Sequence, residues 1–446
     1  MKKIVVKFLA LFLFAFITFA QGEKAFADFS FKDMELNFVQ ISDTHISDSE
    51  DTSYKVLSSS KALLKDAIEQ VNNIKHVDFV MFTGDLVNEP LKNSYRDFFV
   101  LLTKLKYPSL SAFGNHDMAQ MKDLGADAPP YISKDTAISI IKKCNPFYIF
   151  DKSYYAFSPR RQYRVIVLDT TIDGVITSNG RLTDEQAQFL KDEIEGHKDK
   201  VILIFEHHPV VEPFKSEHHK IINDESYMEI IKQYKKTPIA IFSGHYHAAK
   251  IKQQGNIIHV STPSLVTYPN AFRYVNITDY DDRTIFNFKY LVTNLEDVRK
   301  QSKLNVIASA TLRGLPSDQE TVITIRKSKD NNNDLKEKAP KPTKEDKQIQ
   351  KEEKQAQKEA ERQLRQDALQ IQKQEKLKTQ ELKRQEKLEA DEFKKEQKLK
   401  EKALKQQEKE AKKLEKAQDK ALREDLKKQE KINKEAEKQL QENAGN

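Results

Sequence analysis

Tryptophan is absent from this chain of 446 residues, and cysteine occurs once, as Cys144. A lone cysteine excludes any disulfide within the chain, so the fold is not a disulfide-held scaffold. Nothing around it ("KKCNPFY") forms a motif, and it reads as a half-buried apolar residue. A charge of one sign is lacking too: 75 basic residues face 68 acidic ones, a formal net charge of +7. That balance is not the one-sided field of a nucleic-acid binder, and no basic and aromatic clustering supplies a nucleic-acid groove. Glycine and proline are scarce, 11 and 14, and neither occurs between Pro342 and Gly445.

What is present divides into unlike pieces. Residues 1–27 read as a signal peptide: Lys2, Lys3 and Lys7 form a basic start, Phe8 to Ala20 an apolar block, and Ala25-Phe26-Ala27 a small-x-small cleavage site. An uncleaved anchor is the alternative, although the block is short for a span of roughly 20 residues. Either way the rest is expected outside the cytoplasm. Residues 28–327 form the globular domain. Residues 328–347 ("SKDNNNDLKEKAPKPTKEDK") read as a flexible linker.

Residues 348–441 are rich in Lys, Glu, Gln, Ala and Leu and repeat with a period of eleven: Leu377, Leu388 and Leu399, then Leu382, Phe393 and Leu404. Such a period favours a straight or gently right-handed helical rod. The two series are offset and form no single tight seam, so a solvated helix and a weak coiled coil both remain open. A spacer is the plainer reading of this tail. An arm for cell-envelope contact or self-association is the sharper one.

Within the domain, "NFVQIS" (Asn37–Ser42), "DFVMFTG" (Asp78–Gly84), "SLSAFG" (Ser109–Gly114), "YRVIVLD" (Tyr163–Asp169), "KVILIFE" (Lys200–Glu206) and "IAIFSG" (Ile239–Gly244) read as buried strands. "SKALLKDAIEQVNNI" (Ser60–Ile74) and "TDEQAQFLKDEIEGH" (Thr183–His197) read as helices, the second opening on a capping box of Thr183 and Gln186. This alternation predicts an α/β fold. Beyond Gly244 the pattern is strand-only, as expected of a second sheet closing the same domain.

Five of these runs end in chemistry-bearing residues. They supply Asp43 and His45; Asp85; Asn115, His116 and Asp117; His207 and His208; and His245 and His247. In α/β sheets the carboxyl ends of strands line the functional crevice, so five distant turns are expected to meet. There are more His and Asp than a nucleophile triad needs. Mixed carboxylate and imidazole donors suit Zn, Mn or Fe, and seven ligands suit two ions sharing a carboxylate, about 3.5–4 Å apart, a device for phosphoryl displacement. Each motif alone is an ordinary turn. All five together, each at a strand end, are not.

The order D-x-H, G-D, G-N-H-D, H-H-P, G-H-x-H, over residues 37–262, resembles the calcineurin-like metallophosphoesterase superfamily. The resemblance covers neither the leader nor the tail. It implies a two-sheet β-sandwich flanked by helices, with two divalent metal ions (Mn, Fe or Zn). One would be held by Asp43, His45, Asp85 and His247. The other would be held by Asp85, Asn115, His207 and His245, with His208 a neighbour. A metal-bridging hydroxide would attack the phosphorus of a small phosphoester, with diesters favoured over monoesters. His116 would protonate the leaving group, oriented by a carboxylate for which Asp117 is the candidate. His208, Tyr268 and Arg273 are candidate substrate contacts, the plainer reading of the last two being structural strand residues. "SEHHK" (Ser216–Lys220) could rim the pocket. The alternatives are a phosphomonoesterase or nucleotidase of the same fold, and a surface interaction protein working through its long helix.

Overall fold

The apolar runs become strands because their β-branched and aromatic residues are buried on both faces, as strands covered from each side require. The computed structural model describes residues 34–120 and 129–327, with isolated positions between 362 and 434. In chain order the strands are β1 (Glu35–Ile41), β2 (Phe79–Thr83), β3 (Ser109–Ala112), β4 (Tyr155–Phe157), β5 (Tyr163–Val167), β6 (Val201–Phe205), β7 (Ile239–Ser243), β8 (Lys250–Gln254), β9 (Ile257–Ser261), β10 (Ala271–Asp279), β11 (Arg283–Val292) and β12 (Thr321–Arg326). The helices are α1 (Ser60–Asn72), α2 (Lys92–Leu102), α3 (Lys134–Cys144), α4 (Asp184–Gly196), α5 (Asp224–Lys232), α6 (Glu296–Asn305), α7 (Ser309–Arg313) and α8 (Pro316–Gln319).

Two mixed sheets result, in the orders β12-β11-β10-β1-β2-β3 and β4-β5-β6-β7-β9-β8. Strands β1, β2 and β3 are mutually parallel, and so are β5, β6, β7 and β9. The late strands do not make a sheet of their own, contrary to the sequence expectation. Strands β8 and β9 extend the sheet of β4–β7, while β10 returns antiparallel to β1, with Val39 opposite Tyr274. Nor is the late region strand-only, since α6, α7 and α8 lie between β11 and β12.

The sheets pack face to face through aromatic rings. Phe38 of β1 meets Phe205 of β6 at 5.4 Å and Phe242 of β7 at 5.1 Å, both edge-on. Outside the first sheet, Phe82 of β2 packs on Phe98 of α2 at 5.2 Å, and α1 buries Leu63, Leu64, Ala67, Ile68 and Val71 at helical spacing. Outside the second sheet, Ile202, Ile204 and Ile241 form a separate core with Leu190 and Ile194 of α4 and Tyr227 and Ile231 of α5. The architecture is a two-sheet sandwich flanked by helices.

Local chemistry follows the sequence at α4, where the Thr183 hydroxyl accepts from Gln186 N at 3.3 Å. The box is not reciprocal: the Gln186 amide turns to the backbone of Asp169. Cys144 is exposed rather than half-buried. Among the described residues no helix is long and apolar enough to cross a membrane. The chain divides into two units, Met1–Ile371 and Gln372–Asn446. In the second, the described positions are helical and exposed, continuously over 423–429. The leader, the linker and most of the eleven-residue repeats lie outside the described residues.

Candidate metal centre

The five strand ends meet, three from the first sheet (β1, β2, β3) and two from the second (β6, β7). Their turns are tight. Asp43, His45, Asp85, His245 and His247 all have φ between 41° and 68°. Among the described residues only Asn270 shares this left-handed backbone without glycine. Such backbone costs roughly 1–2 kcal/mol per residue and persists where surrounding structure enforces it, above all at functional sites. Glycine is required beside them. A Cβ on Gly114 would lie 2.2 Å from Asp85 Oδ1, and one on Gly84, itself at φ +85°, would lie 2.5 Å from His207 Nδ1.

The buried donor atoms fall into adjoining groups. Asp43, His45 and His247 bring one atom each within 4.8 Å of one another, as do Asp43, Asp85 and His207, and His207, His208 and His245. Asp85 stands between them: its Oδ2 is 3.5 Å from His45 Nε2 and 3.3 Å from His207 Nε2. His247 Nε2 is 3.3 Å from Asp43 Oδ1 and 3.4 Å from His45 Nε2. His245 Nδ1 is 3.1 Å from His207 Nε2.

The rings are oriented from behind. His207 Nδ1 donates to the Thr83 carbonyl oxygen at 2.8 Å, and His247 Nδ1 meets Thr267 Oγ1 at 2.7 Å, so each turns its Nε2 inward. Asn115 Oδ1, His245 Nε2 and His208 Nε2 are buried and make no hydrogen bond. Buried polar atoms left unpartnered beside imidazole nitrogens that face one another fit a divalent-cation site.

Electrostatics follow from burial and crowding. Burial opposes the Asp85 charge, but His207, His116 and His45 hold its carboxyl well below the ordinary range. His207 is raised to about 9, Asp85 and Asp43 outweighing burial. Burial keeps His45 and His245 neutral, the form a metal ligand takes.

Residues 36–249 match the family described as calcineurin-like phosphoesterase. The chain carries a calcineurin-like phosphoesterase domain. It is 27% identical over 231 residues to a protein of Arcobacter nitrofigilis named "probable glycerophosphodiester phosphodiesterase", a match covering 51% of this chain and 77% of that one. It is 22% identical over 236 residues to a 3',5'-cyclic adenosine monophosphate phosphodiesterase of Pseudomonas aeruginosa, covering 52% of this chain and 77% of that one. A solved structure of a dimetal phosphatase from Danio rerio superposes with a TM-score of 0.44 at 17% identity, over 58% of this chain and 99% of that one.

Around the centre of this phosphoesterase domain, the other expected residues take distinct places. His116 adjoins it: its backbone N–H donates to Asp85 Oδ1 at 2.9 Å, and its Nδ1 donates to the Asn88 carbonyl oxygen at 2.7 Å. Asn88, not Asp117, therefore orients this imidazole. The fully buried Asp117 carboxylate accepts from the amides of Leu86, Val87 and Gly114 instead, which corrects its expected catalytic role. It ties the Asp85 turn to the Asn115 turn. His208 is fully buried, its Nδ1 against Thr170 Oγ1 at 2.8 Å and its ring 4.3 Å from that of His245. It sits within the donor cluster rather than in an open substrate pocket.

Arg273 is not a substrate contact of the phosphoesterase. Its side chain is fully buried and donates to Thr262 Oγ1 and to the carbonyl oxygens of Ser261, Asp318 and Gln319. Tyr268 is buried too, with Lys303 over its ring at 5.8 Å, so both residues take the plainer structural role. His219, from the loop after β6, brings its ring 5.4 Å from that of His245, which places "SEHHK" at the rim.

Sequence reasoning missed Lys55, Tyr54 and Gln40. Lys55 Nζ lies 3.4 Å from His45 Nδ1 and 3.5 Å from His116 Nε2. It comes from a polar loop ("EDTSYKV") that carries no local signal of a site.

Proposed function

We propose that this chain is an exported phosphodiesterase that hydrolyses a small phosphoester at a dinuclear metal centre. The observation that carries the reading is the position of Asp85, its one carboxylate oxygen between His45 and His207 with donor groups on either side. Asp43, His45, Asp85 and His247 would hold one divalent ion. Asp85, Asn115, His207 and His245 would hold the other, with His208 behind them. Two such ions, drawn from Mn, Fe or Zn, supply an activated water at neutral pH and neutralise charge on the phosphoryl group. The amide of Asn115 brings no charge of its own, which preserves the electrophilicity of its site.

His116 has the place of the general acid. Asn88 fixes its Nδ1–H, leaving Nε2 to give a proton to the departing oxygen. Burial lowers its pKa, with Asp85 opposing and Lys55 adding to the lowering, so the ring is held neutral without substrate and the acid role requires Nε2 to be protonated in the substrate complex. The preference for a diester is supported by the names of the similar proteins. Export is supported by the leader sequence, and the repeat-bearing tail is proposed as the element that contacts the envelope or another copy of the chain.

The test strips the full chain of metal with a chelator, restores Mn, Fe or Zn, and compares bis-(p-nitrophenyl) phosphate with p-nitrophenyl phosphate. Metal-dependent turnover, faster on the diester and lost in Asn115→Ala, is expected. A folded, metal-loaded chain that cleaves neither compound overturns the hydrolase reading. Faster cleavage of the monoester overturns the diester preference.

A further inference from the structure

Among the described residues, a cation beside the centre has no anion. Lys55 is 5% exposed, and its ammonium sits between the rings of His45 and His116. Burial disfavours its charge, Asp85, Asp43 and Glu89 favour it from a distance, and among the described residues no carboxylate is ion-paired with it. Buried charges are ordinarily paired, because desolvation without compensation is costly. A buried, unpaired ammonium beside a phosphoesterase centre therefore has the character of a receptor for an anionic oxygen.

Its sequence neighbour faces outward. Tyr54 is 46% exposed, yet its ring centroid is 6.0 Å from that of His247 and 5.6 Å from Lys55 Nζ. An aromatic face is thus open to solvent at the edge of the donor cluster. The loop is held in place: Thr52 N donates to the Lys55 carbonyl oxygen at 2.9 Å, Lys55 N to Thr52 Oγ1 at 3.1 Å, and Val56 N to the Val266 carbonyl oxygen at 2.8 Å. Val266 adjoins Thr267, whose hydroxyl orients His247. A loop fixed before binding loses little entropy when it binds.

We propose that Tyr54 and Lys55 form a clamp that selects phosphoesters of a planar aromatic base: Lys55 takes a phosphate oxygen and Tyr54 stacks the base. The substrate class is then nucleoside phosphodiesters, cyclic or linear, rather than diesters of an aliphatic alcohol such as glycerol. This rests on the phosphoesterase reading of the same centre. An aromatic side chain stacks any base through its π-face, whereas a glycerol group offers no such surface.

The experiment uses the full-length, metal-loaded chain. Calorimetry measures the binding of adenosine 5′-monophosphate and glycerol 3-phosphate, which carry the same phosphate and differ in the ester group. Turnover of bis-(p-nitrophenyl) phosphate is followed in parallel. The wild-type chain is expected to bind the nucleotide roughly tenfold more tightly. Tyr54→Leu abolishes that margin, Tyr54→Phe keeps it, and Lys55→Met weakens both ligands alike. Equal affinities in the wild type, a margin that survives Tyr54→Leu, or Lys55→Met without effect overturns the clamp. If the diester is hydrolysed while the clamp fails, the phosphoesterase reading stands. No hydrolysis by the metal-loaded wild type defeats that reading and the clamp with it.

Discussion

The side-chain amide of Gln40 reaches from β1 in one sheet to the carbonyl oxygen of Ser243, at the end of β7 in the other, 3.1 Å away. The same nitrogen donates to Thr83 Oγ1 at 3.1 Å, and Gln40 Oε1 accepts from Thr262 Oγ1 at 2.6 Å. Gln40, Thr83 and Ser243 lie just before the turns that carry Asp43 and His45, Asp85, and His245 and His247. One buried glutamine therefore joins the two sheets directly beneath the donor cluster.

Replacing Gln40 by leucine strands Thr83 Oγ1 and takes one bond each from the Ser243 carbonyl oxygen, which keeps the N–H of Thr262, and from Thr262 Oγ1, which keeps Arg273 Nε. A loss of about 2–4 kcal/mol of folding stability is expected, since each unsatisfied buried group costs about 1–3 kcal/mol and not all are fully stranded. Urea unfolding of the metal-free wild type and variant measures it. A change under 0.5 kcal/mol, within the usual range of surface substitutions, would show that the stitch is not needed.

Asp117→Asn separates a scaffold from an acid. The native carboxylate accepts three backbone N–H groups with both oxygens. An amide keeps one acceptor and turns its own N–H₂ toward a donor. The variant is expected to lose about 2–3 kcal/mol of stability, while the pH profile of kcat in the folded, metal-loaded variant keeps its form. Loss of a limb of that profile at unchanged stability would restore Asp117 to an acid–base role.

The domain is expected to weaken in acid through His259, which stands apart from the centre on β9. Burial, with Lys252 and Lys232, lowers this imidazole to about 4, and neither ring nitrogen has a partner. The unfolded chain binds the proton near pH 6.5, but the folded chain refuses it until about 4. Stability is thus present above pH 6.5 and lost as pH falls toward 4, by about 1.4 kcal/mol per unit, or about 2 kcal/mol between pH 6.5 and 5. Denaturant unfolding of wild type and His259→Leu at pH 7 and 5 checks this. The variant should lose less stability on acidification, and equal losses would contradict the assignment.

The donor turns were legible because each short polar motif closes an apolar strand buried on both faces, and a continuous apolar run with a polar terminus is a local signal. Sheet membership was not. The return of β10 to pair with β1 joins residues such as Val39 and Tyr274, far apart in sequence, which no local pattern specifies. Helices α2, α3 and α5 escaped notice, and capping does not explain it: α1 was read without a side-chain cap bond, and α3 was missed although the Ser133 hydroxyl caps it. Arg273 stayed ambiguous between the two readings because its sequence context does not reveal that carbonyl oxygens, rather than phosphate, satisfy its guanidinium. Asp117 misled because adjacency to His116 in the chain does not place the two side chains together. Lys55 and Tyr54 gave no sign, since their position depends on how a polar loop folds back over His45 and His247.

The dinuclear reading is tested most directly by metal stoichiometry in the full chain, wild type against Asp85→Asn, with turnover of bis-(p-nitrophenyl) phosphate measured on the same samples. Two ions per wild-type chain are expected. The variant should lose at least one of them, and its turnover should fall roughly a hundredfold or more, beyond the usual effect of losing an outer partner of a metal ligand. A folded wild-type chain that binds no divalent ion, or an Asp85→Asn variant that keeps both ions and full turnover, would contradict it.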